Sequence, residues 1–136
     1  MTTLTTPRGE VLPVQSEDDV VRVRQAVRQC ALAVGFSLVD QTKLVTAASE
    51  LARNVLVHGH GGQVRLDVLA SPRIGIQLVF EDHGPGIPDL DRALQEGFST
   101  GGGLGLGLSG SRRLMNEFRI QSQPGDTRVT VIKWKA

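Results

Sequence analysis

The sequence predicts an α+β fold in which helices lie on one face of a mostly antiparallel sheet. Several short segments alternate apolar and polar residues with the strand period, and two long segments carry apolar residues at helical spacing. These segments follow the order strand, two helices, two strands, glycine-rich loops, helix, two strands, which is typical of layered α+β proteins. With 136 residues and no repeat or linker, the chain is expected to form one domain, residues 1–136.

The first half of the chain is predicted mainly from its helix signals. Residues 1–9 are polar and Thr-rich and are expected to be disordered, and residues 10–15 predict a short strand. Ser16, followed by three acidic residues, predicts the start of a helix that Gly35 ends. A second helix is predicted from residue 38 or 40 to residue 57, with a glycine two residues later to stop it.

The second half is predicted as two hairpins separated by glycine-rich loops. Residues 63–69 alternate and residues 74–80 are rich in β-branched and apolar side chains, so this pair predicts an antiparallel hairpin. Turn-forming residues follow from residue 81. The remaining predicted elements are a short helix at residues 90–96, a helix that starts inside the glycine cluster and ends near residue 118, and strands at residues 118–122 and 128–134.

Composition and charge exclude several classes of function. Fifteen Lys and Arg against fourteen Asp and Glu give a net charge of +1, which provides no field to attract nucleic acid or an anionic membrane. Aromatic residues make up only 4%, so stacking platforms for single-stranded nucleic acid are lacking. Cys30 has no partner for an internal disulfide, and no apolar run approaches the roughly 20 residues that cross a bilayer. Without a basic and apolar leader, we expect a cytoplasmic protein.

Two polar motifs are candidates for chemistry. Glu50 and Asn54 are four residues apart, so a carboxylate and an amide project from one helix face, although such a pair alone is common by accident. Asp82, Gly84 and Gly86 follow a predicted strand, where a carboxylate accepts a hydrogen bond from an exocyclic amine and glycines let the backbone approach a flat ring. For this second motif alone, a plain turn is the alternative.

A third motif leads into a predicted helix and is rich in glycine. Exposed backbone amides at a helix start attract anions, and glycine lets phosphate oxygens come close. A flexible linker is the alternative, but leucines are poor linker residues. The segment consists of Gly101, Gly102, Gly103, Leu104, Gly105, Leu106 and Gly107.

Other phosphate-binding motifs do not fit the sequence. No Gly-Lys pair is present, which excludes a P-loop, and the V-A-I-K and H-R-D motifs of common eukaryotic protein kinases are missing. Gly105, Gly107 and Gly110 match the dinucleotide fingerprint by letters. They follow a glycine loop instead of a first strand, and no acidic residue ends a following parallel strand, so we interpret that match as coincidence.

Taken in order, the three motifs resemble the N box, the adenine box and the second glycine box of the GHKL ATP-binding domain. The match is closer to the RsbT-type switch-protein serine/threonine kinases of bacterial stress signalling and covers about residues 14–134. It is carried by residues 49–54, 81–88, 97–100, 113–118 and 132–134.

The resemblance implies a Bergerat-type two-layer sandwich with a mostly antiparallel, mixed sheet, and a kinase that uses ATP and Mg²⁺. Asn54 would be the Mg²⁺ ligand, Glu50 the general base and Asp82 the residue that recognises adenine. The other implied nucleotide-binding residues are Gly84, Gly86, Ile87, Gly101, Gly102, Gly103, Leu104, Gly105, Leu106 and Gly107.

The resemblance also implies partners. Such a kinase phosphorylates a small antagonist with a STAS fold and, when released, binds and activates a metal-dependent serine phosphatase. The short stretch between residues 88 and 100 would be a short lid that leaves the γ-phosphate open to a protein substrate. Alternatives are an anti-sigma factor kinase that binds a sigma factor directly and a nucleotide-binding phosphatase activator without catalysis. A histidine-kinase catalytic domain is disfavoured, because no dimerising helical hairpin with a phospho-acceptor His is seen.

Two features near these motifs stay open at this point. His58, His60 and His83, with Cys30, suggest a metal site, but no fourth ligand is suitably spaced, so solvated loop histidines are the better interpretation. Arg53, beside the N box, either contacts phosphate or pairs with a surface acid.

Overall fold

The computed structural model describes residues 9–87, 89, 94 and 107–136, and these form three helices and five strands. Apart from residue 94, the predicted helix at residues 90–96 lies outside the described residues, as does most of the glycine cluster. The strands are β1 (Glu10–Val14), β2 (Gly62–Leu69), β3 (Gly75–Asp82), β4 (Glu117–Gln123) and β5 (Asp126–Trp134), and the helices are α1 (Glu17–Val34), α2 (Leu38–Val57) and α3 (Leu108–Leu114).

Both long helices begin after a capping serine, and their bounds match the sequence prediction. Ser16 Oγ accepts the Asp19 N–H at 3.2 Å, and Ser37 Oγ accepts the Asp40 N–H at 3.1 Å. Each hydroxyl satisfies one of the N–H groups that a helix start leaves without a partner. Gly35 ends α1 in the left-handed conformation, with φ of 90°. Both helix predictions are confirmed.

The five strands form one antiparallel sheet in the order β1-β2-β3-β5-β4. A mixed sheet was expected, but every strand pair among the described residues is antiparallel. Strands β2 and β3 form the predicted first hairpin and β4 and β5 the last one, and the two hairpins meet where β3 pairs with β5.

One face of the sheet carries the core. Val64, Phe80 and Val129 are neighbours across three strands, and all three are almost fully buried. The buried side of α2, which includes Leu44 and Leu51, belongs to the same cluster. Each of these large side chains contributes about 1.5–3 kcal/mol by leaving water. The helices therefore form the second layer, over the inner face of the sheet.

The ends of β3 and α3 differ from the sequence prediction. Strand β3 continues to Asp82, because Asp82 pairs with Gly62 on one side and Thr127 on the other; the predicted strand ended at residue 80. Helix α3 ends at Leu114 instead of near residue 118, because Asn116 N–H bonds to the Ile132 carbonyl at 3.0 Å and turns the chain into β4. The first difference makes the Asp82 carboxylate part of the sheet.

Candidate active site

A pocket opens between α2, the end of β3 and the start of α3. Its walls are mostly apolar, and polar groups from three elements reach it. Asn54 comes from α2, Asp82 from the last position of β3 and Thr127 from β5. The other lining residues are Leu51, Val55, His58, Gly59, Phe80, Gly86, Ile87, Leu108 and Val129. Apolar walls with a few polar groups are the lining that ligand sites commonly have.

Asp82 is the buried acid of this pocket, with only 7% of its surface exposed. Its Oδ1 accepts the N–H of Gly84 at 2.9 Å. Burial raises the pKa of the Asp82 carboxyl above its usual value, although the Gly84 bond and the nearby charge of His83 act in the opposite direction. The second carboxylate oxygen leaves an acceptor that an amine could use.

Two glycines let the backbone pack tightly around that carboxylate. A Cβ built on Gly59, just after α2, would overlap the carboxyl group of Asp82. A Cβ on Gly84 would lie 2.8 Å from the Cα of Gly59. Both approaches are closer than normal van der Waals contact. Glycine is therefore required at both positions, where the end of α2 meets the loop after β3.

Gly86 is required for a different reason. It has φ of +85°, in the left-handed region, and a Cβ there would lie 2.8 Å from the carbonyl oxygen of Gln123. The next residue, Ile87, donates its N–H to Ser122 Oγ at 2.8 Å. The loop after Asp82 is thus fixed against the β4–β5 hairpin, with Ile87 in the pocket wall.

A second, more open groove lies one helical turn away along α2. It is lined by Thr46, Glu50, Gly107, Ser111 and Arg113, among others. Glu50 and Asn54 are on the same face of α2, as their spacing predicts, so one helix face borders both cavities. Among the described residues, none donates a hydrogen bond to the half-buried Glu50 carboxylate.

Gly107 contacts Glu50 directly. It precedes α3 with φ of +63°, and a Cβ there would lie 2.6 Å from Glu50 Cγ. Of the predicted glycine-rich segment, only this residue is described; Gly101, Gly102, Gly103, Leu104, Gly105 and Leu106 lie outside the described residues. The contact places the end of that segment beside the predicted catalytic carboxylate.

Three residues of this region were missed from the sequence. The sequence prediction treats Gly59 only as a helix stop, ends a strand at Ser122, and leaves Thr127 just before the strand at residues 128–134. The missed signal was periodicity: Thr127 precedes the buried Val129 and Val131 at strand spacing, so it is a polar residue at an inward position. A buried hydroxyl at such a position indicates either a hydrogen-bonded partner or a ligand.

The features left open by the sequence are now defined. Arg53 is exposed and its Nη1 lies 3.5 Å from Glu17 Oε2 on α1, which favours the pairing with a surface acid. Among the described residues, no three His, Cys, Asp or Glu side chains are grouped to hold a metal ion. Cys30 is in the core, and burial raises the pKa of its thiol to about 11.

Within the described part of the chain, no helix combines the length and apolar character needed to cross a membrane.

The family model of the histidine kinase-, DNA gyrase B- and HSP90-like ATPases matches residues 39–136, which include both the pocket and the groove. The chain belongs to this ATPase family. It is the GHKL superfamily that the three motifs predicted, and membership implies that the protein uses ATP.

Within the GHKL family, the chain is 44% identical over 123 residues to the serine/threonine-protein kinase RsbT of Bacillus subtilis, which covers 89% of this chain and 92% of that one. The prediction of an RsbT-type GHKL member is confirmed, and the chain is a protein serine/threonine kinase. The anti-sigma F factor of Bacillus licheniformis is a more distant relative, 33% identical over 92 residues, with 62% of each chain covered.

Solved GHKL structures support the fold. The crystal structure of the RsbU and RsbW domains of a Mycobacterium tuberculosis protein gives a TM-score of 0.64 at 19% identity and covers 95% of this chain and 33% of that one. A histidine kinase domain from Erythrobacter litoralis gives a TM-score of 0.52 at 17% identity, over 97% of this chain and 69% of that one. The predicted two-layer α+β class is confirmed.

Proposed function

We propose that this kinase transfers the γ-phosphate of ATP to a Ser or Thr of a STAS-domain antagonist and, when released, binds and activates a metal-dependent serine phosphatase. The observation that carries the proposal is the 44% identity to RsbT over nearly all of both chains. We place this activity in the cytoplasm and treat residues 1–136 as one kinase domain.

The proposed adenine site is the apolar pocket that contains Asp82. The adenine ring carries an exocyclic amine, and the free carboxylate oxygen of Asp82 accepts a hydrogen bond from it. Gly84, Gly86 and Ile87 form the loop beside the ring. Support comes from the burial of Asp82 among apolar side chains, where a hydrogen bond to a charged acceptor is worth more than in water.

The triphosphate would extend from this pocket towards the open groove and the glycine segment, residues 101–107. The Asn54 amide, on the α2 face between pocket and groove, is an oxygen donor of the kind that Mg²⁺ accepts, and the ion takes its remaining ligands from phosphate and water. Bound Mg²⁺ would neutralise phosphate charge. The available residues therefore fit a single-ligand magnesium site.

We assign the general base to Glu50. Phosphoryl transfer needs alignment and charge neutralisation more than covalent chemistry, and one carboxylate is enough to orient the attacking hydroxyl. The open groove at Glu50 gives a protein hydroxyl a route to this carboxylate, and no described residue competes for it by hydrogen bonding. Arg113, at the same groove, adds positive charge near the proposed phosphate path.

Labelled γ-phosphate transfer to a purified STAS-domain antagonist tests the activity. We expect label on the antagonist, and on its Ser or Thr to Ala variant we expect none. Pull-down with the kinase would separate the alternatives: capture of a phosphatase supports this proposal, and capture of a sigma factor instead supports the anti-sigma interpretation, which the 33% identity to anti-sigma F factor makes worth testing. Phosphatase activation without any label transfer would favour a non-catalytic activator.

Calorimetry tests the magnesium ligand. Wild type should bind ATP more tightly with Mg²⁺ than with a chelator, and Asn54→Ala should lose most of that difference while it keeps its affinity for metal-free ATP. An unchanged magnesium dependence in Asn54→Ala would contradict the assignment.

A further inference from the structure

The adenine pocket contains a pair of hydroxyl groups that the proposed function does not use. Thr127 lies opposite Asp82 across β3 and β5, lines the pocket and is 6% exposed. Ser122, on β4, is its cross-strand neighbour on the other side, and the two hydroxyl oxygens are 2.7 Å apart. One row of the sheet therefore carries Asp82, Thr127 and Ser122 in sequence across three strands.

The direction of the Ser122–Thr127 hydrogen bond decides what Thr127 offers to a ligand. If Ser122 donates its proton to Thr127, the Thr127 proton is free to point into the pocket, and Thr127 acts as a donor. If Thr127 donates to Ser122, it offers the pocket only lone pairs and acts as an acceptor. The same hydroxyl could therefore favour opposite kinds of ring edge.

A backbone group favours one of these two directions. Ile87 N–H donates to Ser122 Oγ at 2.8 Å, and a backbone N–H is always a donor. When Ser122 accepts this bond and donates onward to Thr127, the bonds run one way and polarise one another. In the opposite arrangement Ser122 accepts two bonds, and its own proton has no acceptor among the described residues. In the first arrangement the proton left over is that of Thr127, which lines the pocket, where a ligand can accept it. The chain from Ile87 through Ser122 thus favours Thr127 as a donor.

We propose that Ser122 is a specificity-determining positioning residue: it makes Thr127 a hydrogen-bond donor, so that the pocket selects a 6-aminopurine over a 6-oxopurine. Asp82 accepts from the amine, and the donor at Thr127 matches the ring nitrogen beside the amine, which has a lone pair. A 6-oxopurine presents the reverse pattern at both positions, an oxygen and an N–H. This inference rests on the proposed location of ATP.

The test compares the affinities of ATP and inosine triphosphate by calorimetry with Mg²⁺. Wild type should prefer ATP. In Ser122→Ala, Thr127 is released from its fixed direction and accepts an N–H as readily as it donates, so the ATP preference should fall about threefold to tenfold, the range for one neutral hydrogen bond. Ser122→Thr, which keeps the hydroxyl, should restore the preference. The matched control is Thr130→Val, which removes a hydroxyl from the opposite face of β5.

Thr127→Val provides an independent measurement if Ser122→Ala does not fold. It should lower the preference similarly, and the double variant should lower it no further than Thr127→Val alone. If both nucleotides weaken equally in Ser122→Ala, or neither changes, Ser122 has only a structural role and the inference is wrong. Failure of wild type to bind either nucleotide would instead overturn the proposed ATP site, and with it this inference.

Discussion

The two cavities along α2 differ in burial and in how they are built. The pocket around Asp82 is walled by β3, β5 and the end of α2, and its acid is buried and hydrogen-bonded to Gly84. The groove around Glu50 is open, and none of the described residues donates a hydrogen bond to its acid. A buried acid with one oxygen held by the backbone suits recognition of a constant ring, whereas an accessible acid without a described donor suits contact with a protein substrate.

Under the proposed assignment, α2 would supply one residue to ATP binding and another to phosphate transfer. Asn54 faces the closed pocket and Glu50 faces the open groove, one turn apart. If ATP binding and phosphate transfer are separated in this way, variants at the pocket should change ATP affinity and variants at the groove should change the transfer rate. The predictions below test that separation, from the largest expected effect to the smallest.

Replacement of the acid in the open groove should have the largest effect. Glu50→Gln should slow phosphate transfer by about a hundredfold to ten-thousandfold, the usual contribution of a general base, and should keep ATP affinity. Single-turnover transfer and calorimetry measure the two quantities. The control is Glu10→Gln, an exposed acid on β1. Unchanged transfer in Glu50→Gln would remove the general-base assignment.

Replacement of the acid in the closed pocket should affect binding instead. Asp82→Asn should weaken ATP about tenfold to a hundredfold, because a hydrogen bond to a charged acceptor is lost. At saturating ATP the transfer rate should stay close to that of wild type. Asp126→Asn, an exposed acid at the start of β5, is the matched control. Wild-type affinity in Asp82→Asn would refute its role and the proposed ring position.

A methyl group added at Gly59, behind the pocket, should also weaken ATP binding, but less than the loss of the Asp82 charge. In Gly59→Ala the new Cβ overlaps the Asp82 carboxyl group, so the carboxylate has to move, and ATP should bind about tenfold more weakly. Gly35→Ala is the control: Gly35 lines neither cavity, so ATP affinity should stay unchanged although its φ of 90° makes the variant less stable. Equal ATP affinities in the two variants would show that the close packing does not position Asp82.

The smallest effect concerns stability, and its sign follows from the pKa of Asp82. Burial raises that pKa in the folded state, so the folded protein binds this proton more tightly than the unfolded chain. The contribution of this carboxyl to the free energy of unfolding is therefore largest at low pH. It is lost as the pH rises from the ordinary pKa of an Asp through the raised pKa of Asp82 in the folded protein. Asp82→Asn avoids the loss, so its free energy of unfolding should increase relative to wild type between acid pH and pH 7.

Urea unfolding at pH 4, 5, 6 and 7 measures this difference. The Asp18→Asn variant, which changes an exposed carboxylate on α1, provides the comparison. A difference between Asp82→Asn and wild type that stays constant or shrinks towards pH 7 would contradict the direction of the pKa shift.

Much of the fold could be predicted from local signals. Ser16 and Gly35 mark α1 because capping is a short-range interaction, and the alternation of residues 63–69 marks β2 for the same reason. The end of β3 was wrong because pairing with Gly62 and Thr127 is a long-range interaction that extends the strand through a segment rich in turn residues.

The site was predicted unevenly. The helical spacing of Glu50 and Asn54 was enough to place both on one face, and the family motif pointed to Asp82, whose role stays a prediction. Gly59 and Ser122 could not be found in this way, because each acts through a residue distant in sequence: Gly59 through its contact with Asp82, and Ser122 through Ile87, 35 residues away. Only the folded chain brings such pairs together.

The position of Asp82 among the paired strands limits where this enzyme tolerates insertions and deletions. The acid faces the pocket only because β3 keeps its alignment with β2 and β5. Deletion of one residue inside β3 would turn the carboxylate to the opposite face of the sheet, since side chains alternate. Insertions in the exposed turn at residues 70–74 leave that alignment intact. Changes in chain length are therefore tolerable at one end of the strand and disabling within it.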